Sequence, residues 1–179
     1  MKIIFLGTPG FAVPSLDILV RNGYEIPAVI TAPDKPAGRG QKLAESDVKK
    51  YAVSKGLNVL QPVKLGDAGL LDTVKSLKAD LQIVVAFRMM PEKLWAMPPL
   101  GTFNLHGSLL PQYRGAAPIN RAVMNGEKFT GVTTFFLKQE IDTGNIVFRE
   151  RIDIGPDESA GELHDRMMVV GAELVLKTV

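Results

Sequence analysis

The stretch MKIIFLGTPGFAVPSLDILVRNG (1–23) decides the fold. Residues 2–6 form a short apolar run that ends at Gly7. A run with no polar alternation predicts a strand covered on both faces, as in a parallel sheet. The turn Gly7-Thr8-Pro9-Gly10 follows, and residues 13–22 carry a helical pattern that stops at Gly23. Strand, tight turn and helix in that order form the building unit of an α/β fold.

The same alternation continues outward from this unit. Residues 24–31 predict a second strand, 46–55 a helix closed by Gly56, 58–60 a short strand and 67–77 another helix. Residues 81–87 are the most apolar strand candidate, expected at the sheet centre, with a short helix after them at 91–96. A strand at 101–106 and a helix at 117–125, stopped by Gly126, come next. Two strands rich in β-branched and aromatic residues, 131–137 and 145–152, are joined by a turn, and a helix runs from 159 to the end. The expected class is therefore α/β, a doubly wound, mostly parallel sheet with helices on both faces and a mixed edge. Residues 32–43, with two prolines and two glycines among polar residues, read as a loop. The last helical pattern reaches Val179 without a stop signal, so the natural chain is expected to run on.

A length of 179 residues allows one domain of ordinary size, able to bury well over half of its unfolded surface. The absence of cysteine excludes disulfides, thiolate metal sites and cysteine nucleophiles, and it suits a reducing compartment. A formal charge of +2, with no run of five like charges, argues against wholesale nucleic-acid binding and leaves room for a local basic patch. The segment before Gly7 is too short for a signal-peptide core. No apolar stretch approaches the roughly 18 residues of a membrane span, so a cytoplasmic chain with no membrane partner is expected.

Several segments carry candidate chemistry. The glycine-rich turn at 7–10 lacks the G-x-G-x-x-G spacing, Pro9 has no N–H to offer a phosphate, and no acid closes the second strand. No NAD site is expected there, and a tight turn lining a substrate cleft fits better. Between Asp34 and Lys42 lie the cations Lys35, Arg39 and Lys42 and no further acid. Such a segment suits a solvated surface loop, or a mobile loop that meets a phosphate backbone.

The densest polar chemistry is in FNLHGSLLP (103–111). Strand alternation puts Asn104 and His106 on one face, with His106 at the carboxyl end where open parallel sheets place their chemistry. Asparagine offers an amide donor and a carbonyl acceptor, and histidine exchanges a proton near neutral pH. Taken alone, an Asn-x-His pair is more often structural. The turn QEIDTG (139–144) suits a hairpin, and a D-T-G aspartic protease would need a second copy that the chain lacks. Spacing does not join Asp142 to His106. His164 reads as a residue on the side of the last helix, and two histidines without a cluster of acids predict no metal site. The pairs Met89-Met90 and Met167-Met168 suit core gaps or an apolar pocket wall.

Four stretches together, FLGTPGFA (5–12), PDKPAGRGQKL (33–43), NLHGSLLPQYRGAAPI (104–119) and IDTG (141–144), resemble the formyltransferase family. The element PAGRG (36–40) is similar to its tRNA-modifying branch. The resemblance implies a Rossmann-like catalytic domain over 1–179, continued in the family by a C-terminal β-barrel that helps hold tRNA. It implies 10-formyltetrahydrofolate as formyl donor and the α-amino group of methionine on initiator tRNA as acceptor, for translation initiation. The family's catalytic Asn, His and Asp fall on Asn104, His106 and Asp142, and the Asp142–His106 pairing comes from this resemblance.

By the same similarity Ser108, Leu109, Leu110 and Pro111 bind the folate. Phe87, Arg88, Met89 and Met90, with Gln139, Glu140 and Ile141, enclose its pterin ring. Thr8 and Phe11 lie near the aminoacyl end of the tRNA, and Lys35, Arg39 and Lys42 near its acceptor stem. Two positions depart from the family pattern: Gly10 stands where an acid is frequent, and Arg88 where the tRNA enzymes commonly have glycine. Arg88 therefore carries over as part of the wall, without a side-chain role. A monomer that uses no metal is expected, and residues 1–179 alone should bind folate yet formylate tRNA poorly. Rival expectations are another folate-dependent formyltransferase or hydrolase, a non-catalytic folate- or RNA-binding module, and a nucleotide-binding dehydrogenase.

Overall fold

Apolar runs with glycine stops set the first elements of the chain. The computed structural model describes all residues except 38–41 and 141, and the chain divides into two units, Met1–Thr102 and Phe103–Val179. The first strand, β1 (Lys2–Gly7), leads through a short 3-10 turn into α1 (Val13–Arg21) and β2 (Glu25–Ile30). Then come α2 (Asp47–Ser54), β5 (Val59–Leu60), α3 (Ala68–Ser76), β6 (Leu81–Val85) and α4 (Glu92–Trp95), after a hairpin of β3 (Lys35–Ala37) and β4 (Lys42–Ala44).

Within this unit the order is β5-β2-β1-β6, and all three pairings are parallel. Ile3, Ile4, Phe5 and Leu6 are fully buried. Each such side chain contributes about 1.5–3 kcal/mol of hydrophobic stabilisation, which accounts for the unbroken apolar run. The helix starts are capped as their sequences suggest: Ser46 Oγ accepts from Lys49 N (3.0 Å) and Asp67 Oδ2 from Gly69 N (3.0 Å). Tyr51 on α2 donates to Asp17 on α1 (2.8 Å), and burial, reinforced by this bond, raises the phenol well above its ordinary pKa.

One expectation changes here. Residues 32–43 are not loop throughout, because Lys35 pairs with Ala44, Pro36 with Leu43 and Ala37 with Lys42 in an antiparallel hairpin. Neither arm has the β-branched enrichment that marks a strand, so the pairing follows from tertiary context. Asp34, just before the hairpin, forms an ion pair with Lys49 and accepts from Gln61 Nε2 (2.7 Å). The Lys49 hydrogen bond, then that of Gln61, hold the Asp34 carboxyl below the usual range.

The second unit is built on antiparallel pairing. Its strands are β7 (Thr102–His106), β8 (Phe129–Phe136) and β9 (Ile146–Asp153), ordered β7-β8-β9. Between and after them lie α5 (Pro118–Met124) and α6 (Ala160–Thr178), the latter opened by a capping box of Ser159 and Glu162. Leu105 of β7 presses against Gly171 of α6, where an added Cβ would lie 2.7 Å from a leucine methyl. The face of β7 that carries Leu105 is thus covered by α6, and the opposite face carries Asn104 and His106.

Close backbone approach also fixes β8. A Cβ on Gly131 would lie 2.1 Å from the Glu150 carbonyl oxygen and 2.5 Å from Leu109 Cδ2, whereas Gly66 has open space around it. Gly131→Ala is therefore expected to destabilise the chain by about 2–3 kcal/mol, while Gly66→Ala stays near wild type. Urea denaturation midpoints of the two variants check this, and equal midpoints would contradict the packing described.

Candidate active site

Strand register delivers the first two groups. Asn104 is paired with Phe135 and His106 with Thr133 across β7 and β8, so both project from the face away from α6. Asn104 is half-buried, and among the described residues its amide has no protein hydrogen-bond partner. His106 is only 7% exposed. Its Nε2 lies 2.9 Å from the Tyr113 carbonyl oxygen. A carbonyl only accepts, so Nε2 carries the proton and Nδ1 is the nitrogen left for exchange.

That second nitrogen faces Asp142. His106 Nδ1 and Asp142 Oδ2 are 3.8 Å apart, and the Asp142 side chain is 12% exposed. Asp142 itself is held from the 113–115 segment: its Oδ2 accepts from Gly115 N (2.8 Å), and its backbone oxygen from Arg114 Nε (3.0 Å). Tyr113, Ala117 and Asp142 all have positive φ, at 54°, 51° and 53°. Left-handed backbone costs a non-glycine residue about 1–2 kcal/mol, so these hydrogen bonds offset local strain. Gly144 closes the turn against β8, where an added Cβ would lie 1.5 Å from the Phe136 carbonyl oxygen. The glycine of the D-T-G sequence is thereby required by packing.

The segment after His106 is fastened to β8 as well. Thr133 Oγ1 donates to Ser108 O (2.7 Å) and accepts from Leu110 N (3.1 Å), and Ser108 Oγ donates to Gln112 O (2.6 Å). Ser108 and Leu110 are buried, with these polar groups engaged inside the protein; Leu109 is half-buried and Pro111 exposed, after a cis Leu110–Pro111 bond. Gln139 and Glu140 are exposed, and Thr143 Oγ1 donates to Glu140 O (3.1 Å).

The remaining expected site residues belong to the first unit. Phe87, Arg88, Met89 and Met90 follow the end of β6, beyond Ala86 at φ 48°. Met89 is 76% exposed, an apolar side chain without cover. Arg88 donates through Nη1 to Val63 O (2.8 Å) and through Nη2 to Pro62 O, tying the segment after β6 to the one after β5. Thr8 is half-buried, Phe11 is buried, and Lys35 is exposed. Arg39, Ile141 and the Lys42 side chain lie outside the described residues. Among the described residues no group of three or more His, Asp or Glu side chains is placed to hold a metal, and no helix is long and apolar enough to cross a membrane.

Sequence reasoning overlooked Tyr113, Arg114, Gly115 and Thr133, the groups that hold the pair in place. Gly115, at φ 84°, was the available signal, since a glycine amid polar residues marks a bend that can turn its N–H inward. The arrangement offers a free amide, a histidine with one committed nitrogen and a carboxylate, a set suited to stabilising a developing oxyanion and moving a proton.

Known proteins extend this picture. A family model described as formyl transferase matches residues 1–179. The methionyl-tRNA formyltransferase of Flavobacterium johnsoniae is 57% identical over 179 residues, covering 100% of this chain and 57% of that protein. The methionyl-tRNA formyltransferase of Parabacteroides distasonis is 59% identical over 180 residues, covering 100% of this chain and 56% of that protein. The chain thus spans little more than half the length of these relatives.

Among solved structures, phosphoribosylglycinamide formyltransferase from Bacillus halodurans superposes with a TM-score of 0.82 at 18% identity, covering 99% of this chain and 93% of its own. Its counterpart from Anaplasma phagocytophilum gives 0.83 at 22%, covering 99% and 84%. At such identities the likeness speaks for the fold alone, and it bears out the mostly parallel, Rossmann-like α/β class expected from the sequence. With the family model matched from the first residue to the last, this chain belongs to the formyl transferase family.

Proposed function

We propose that this chain is the catalytic domain of an enzyme that transfers the formyl group of 10-formyltetrahydrofolate to the α-amino group of methionine on initiator Met-tRNA. The observation that carries the proposal is the convergence of Asn104, His106 and Asp142 in a chain 57% identical along its whole length to a methionyl-tRNA formyltransferase. The folate supplies a formyl group bonded to N10, an amide open to attack by a neutral amine. As the amine adds to the formyl carbon, negative charge develops on the formyl oxygen. Asn104 is the donor for that oxygen, and its unpartnered amide is available for it.

Nε2 of His106 is committed to Tyr113, so Nδ1 is the nitrogen that donates when protonated. Asp142 keeps that nitrogen in reach and takes the amine's proton toward N10, directly or through a water. The C–N10 bond then breaks, the formyl carbonyl re-forms on the amine, and tetrahydrofolate leaves with the proton on N10. The 3.8 Å between Nδ1 and Oδ2 is longer than a hydrogen bond, a spacing that tightens when substrate fills a site. Within the second unit, half-buried Leu109 and exposed Pro111 suit an apolar wall for the folate. Lys35, Arg39 and Lys42 supply sequence-independent attraction for the tRNA backbone. The family's C-terminal barrel, outside these residues, adds further tRNA contacts. The enzyme works as a cytoplasmic monomer.

Two measurements test this. In the full-length protein, Asn104→Ala, His106→Ala and Asp142→Ala should each slow single-turnover formyl transfer by roughly a hundredfold or more. Near-wild-type rates in all three would refute the assignment. Residues 1–179 alone should bind folate while turning over Met-tRNA poorly compared with the full-length chain. Turnover equal to full length would overturn that expectation for the fragment, and a preference for glycinamide ribonucleotide over Met-tRNA would count against the tRNA acceptor.

A further inference from the structure

The backbone that fixes the reactive histidine is itself fixed by a side chain that the proposed reaction does not use. Tyr113 sits at φ 54°, a region where a bulky side chain is an outlier, so its surroundings must hold it there. Three groups converge on its phenol ring. Tyr113 Oη donates to Glu127 Oε1 (2.5 Å) and accepts from Asn125 Nδ2 (2.9 Å), and the Arg121 guanidinium carbon is 5.5 Å from the ring centroid.

All three belong to the last turn of α5 and the bend after it. That bend is closed by Asn125 N to Arg121 O (3.0 Å), Gly126 N to Val123 O (3.0 Å) and Glu127 N to Ala122 O (3.1 Å), and Ala122 is fully buried. The ring is therefore fastened to a helix end that is anchored in the core of its own unit.

The consequence falls on His106. The Tyr113 carbonyl receives the Nε2 proton, and two residues later Gly115 N–H holds Asp142 Oδ2. Rotation of the backbone at 113 would move the acceptor for one ring nitrogen and shift the partner of the other. We infer that Tyr113 is a positioning residue for formyl transfer: its ring, held by Glu127, Asn125 and Arg121, locks the left-handed backbone whose carbonyl keeps His106 in the Nε2–H form. This inference rests on the function proposed above. Without the anchor the backbone relaxes toward the right-handed region, and His106 can place its proton on either nitrogen.

The test uses the full-length enzyme with Tyr113→Phe, Glu127→Ala, the double variant and Glu127→Gln. Steady-state formylation of Met-tRNA is combined with 15N NMR of His106, which reports the protonated nitrogen without any turnover. Tyr113→Phe and Glu127→Ala should each lower kcat roughly tenfold with little change in either KM. The double variant should lose no more than Tyr113→Phe alone, because the contact that Glu127→Ala breaks is already lost with the phenol oxygen. Glu127→Gln, which keeps an acceptor for the phenol, should recover most of the rate. The His106 signals should move from the Nε2–H pattern toward a tautomer mixture in the two damaging single variants.

Wild-type kcat in Tyr113→Phe with His106→Ala inactive would overturn the positioning role and leave the proposed function standing. A fall in kcat with unchanged His106 signals would also overturn it, as loss of general structure only. Full activity in His106→Ala would remove the proposed function, and this inference with it.

Discussion

The register of β7 against β8 is the constraint on which the second unit's chemistry depends. Side chains alternate with a period of two, so a slip of one residue would turn Asn104 and His106 toward α6 and put Leu105 in their place. Several contacts resist that slip without forming part of the ladder. Leu105 fits against Gly171, and Gly131 of β8 admits Leu109 of the chain leaving β7. Thr133, directly opposite His106, binds both Ser108 O and Leu110 N through one hydroxyl. The strand is thus locked from its neighbour, from the helix beneath and from the chain that leaves it.

With the register set, the remaining problem is to bring a carboxylate to His106 from a turn 36 residues further along. The chain does this with short left-handed steps on both sides, at Tyr113 and Ala117 and at Asp142. Each conformation is unfavourable alone, and the two segments hold one another through Arg114 Nε to Asp142 O and Gly115 N to Asp142 Oδ2. Backbone strain of this kind persists only where surrounding contacts over-determine it, and it tends to gather where geometry matters for chemistry. The turn at 142 is also tied to β8, because Phe136 N donates to Asn145 O (2.9 Å) beside Gly144.

This division explains what could be read in the sequence. The parallel strands of the first unit are mostly apolar runs, and their positions followed from composition and flanking turn residues within a residue or two. Asn104 and His106 on one face followed from alternation alone. Asp142 did not, because its approach depends on non-local pairing and on left-handed residues that propensities disfavour. Tyr113 carries its role on a backbone carbonyl, which every residue possesses, so no residue type could announce it. The hairpin at 35–44 was missed for a related reason: Lys35, Pro36 and Ala37 are poor strand formers, and only pairing with Lys42, Leu43 and Ala44 makes them a strand. Arg88 gave no hint of its bonds to Pro62 O and Val63 O, which become available only once two loops lie side by side.

The commitment of Nε2 to a backbone carbonyl has a chemical consequence for the proposed transfer. A neutral histidine free to hold its proton on either nitrogen would spend part of its time with Nδ1 already protonated, unable to take up a proton on the side that faces Asp142. Fixing Nε2 to Tyr113 O leaves Nδ1 as the only exchangeable position, and Nδ1 is the nitrogen that faces Asp142. Proton movement is thereby confined to the line between Nδ1 and the carboxylate, on the same face of β7 as Asn104. A side-chain acceptor at Nε2 could itself titrate or rotate, whereas a main-chain carbonyl does neither. The choice of acceptor therefore keeps the proton on Nε2 as long as the backbone at 113 stays where it is.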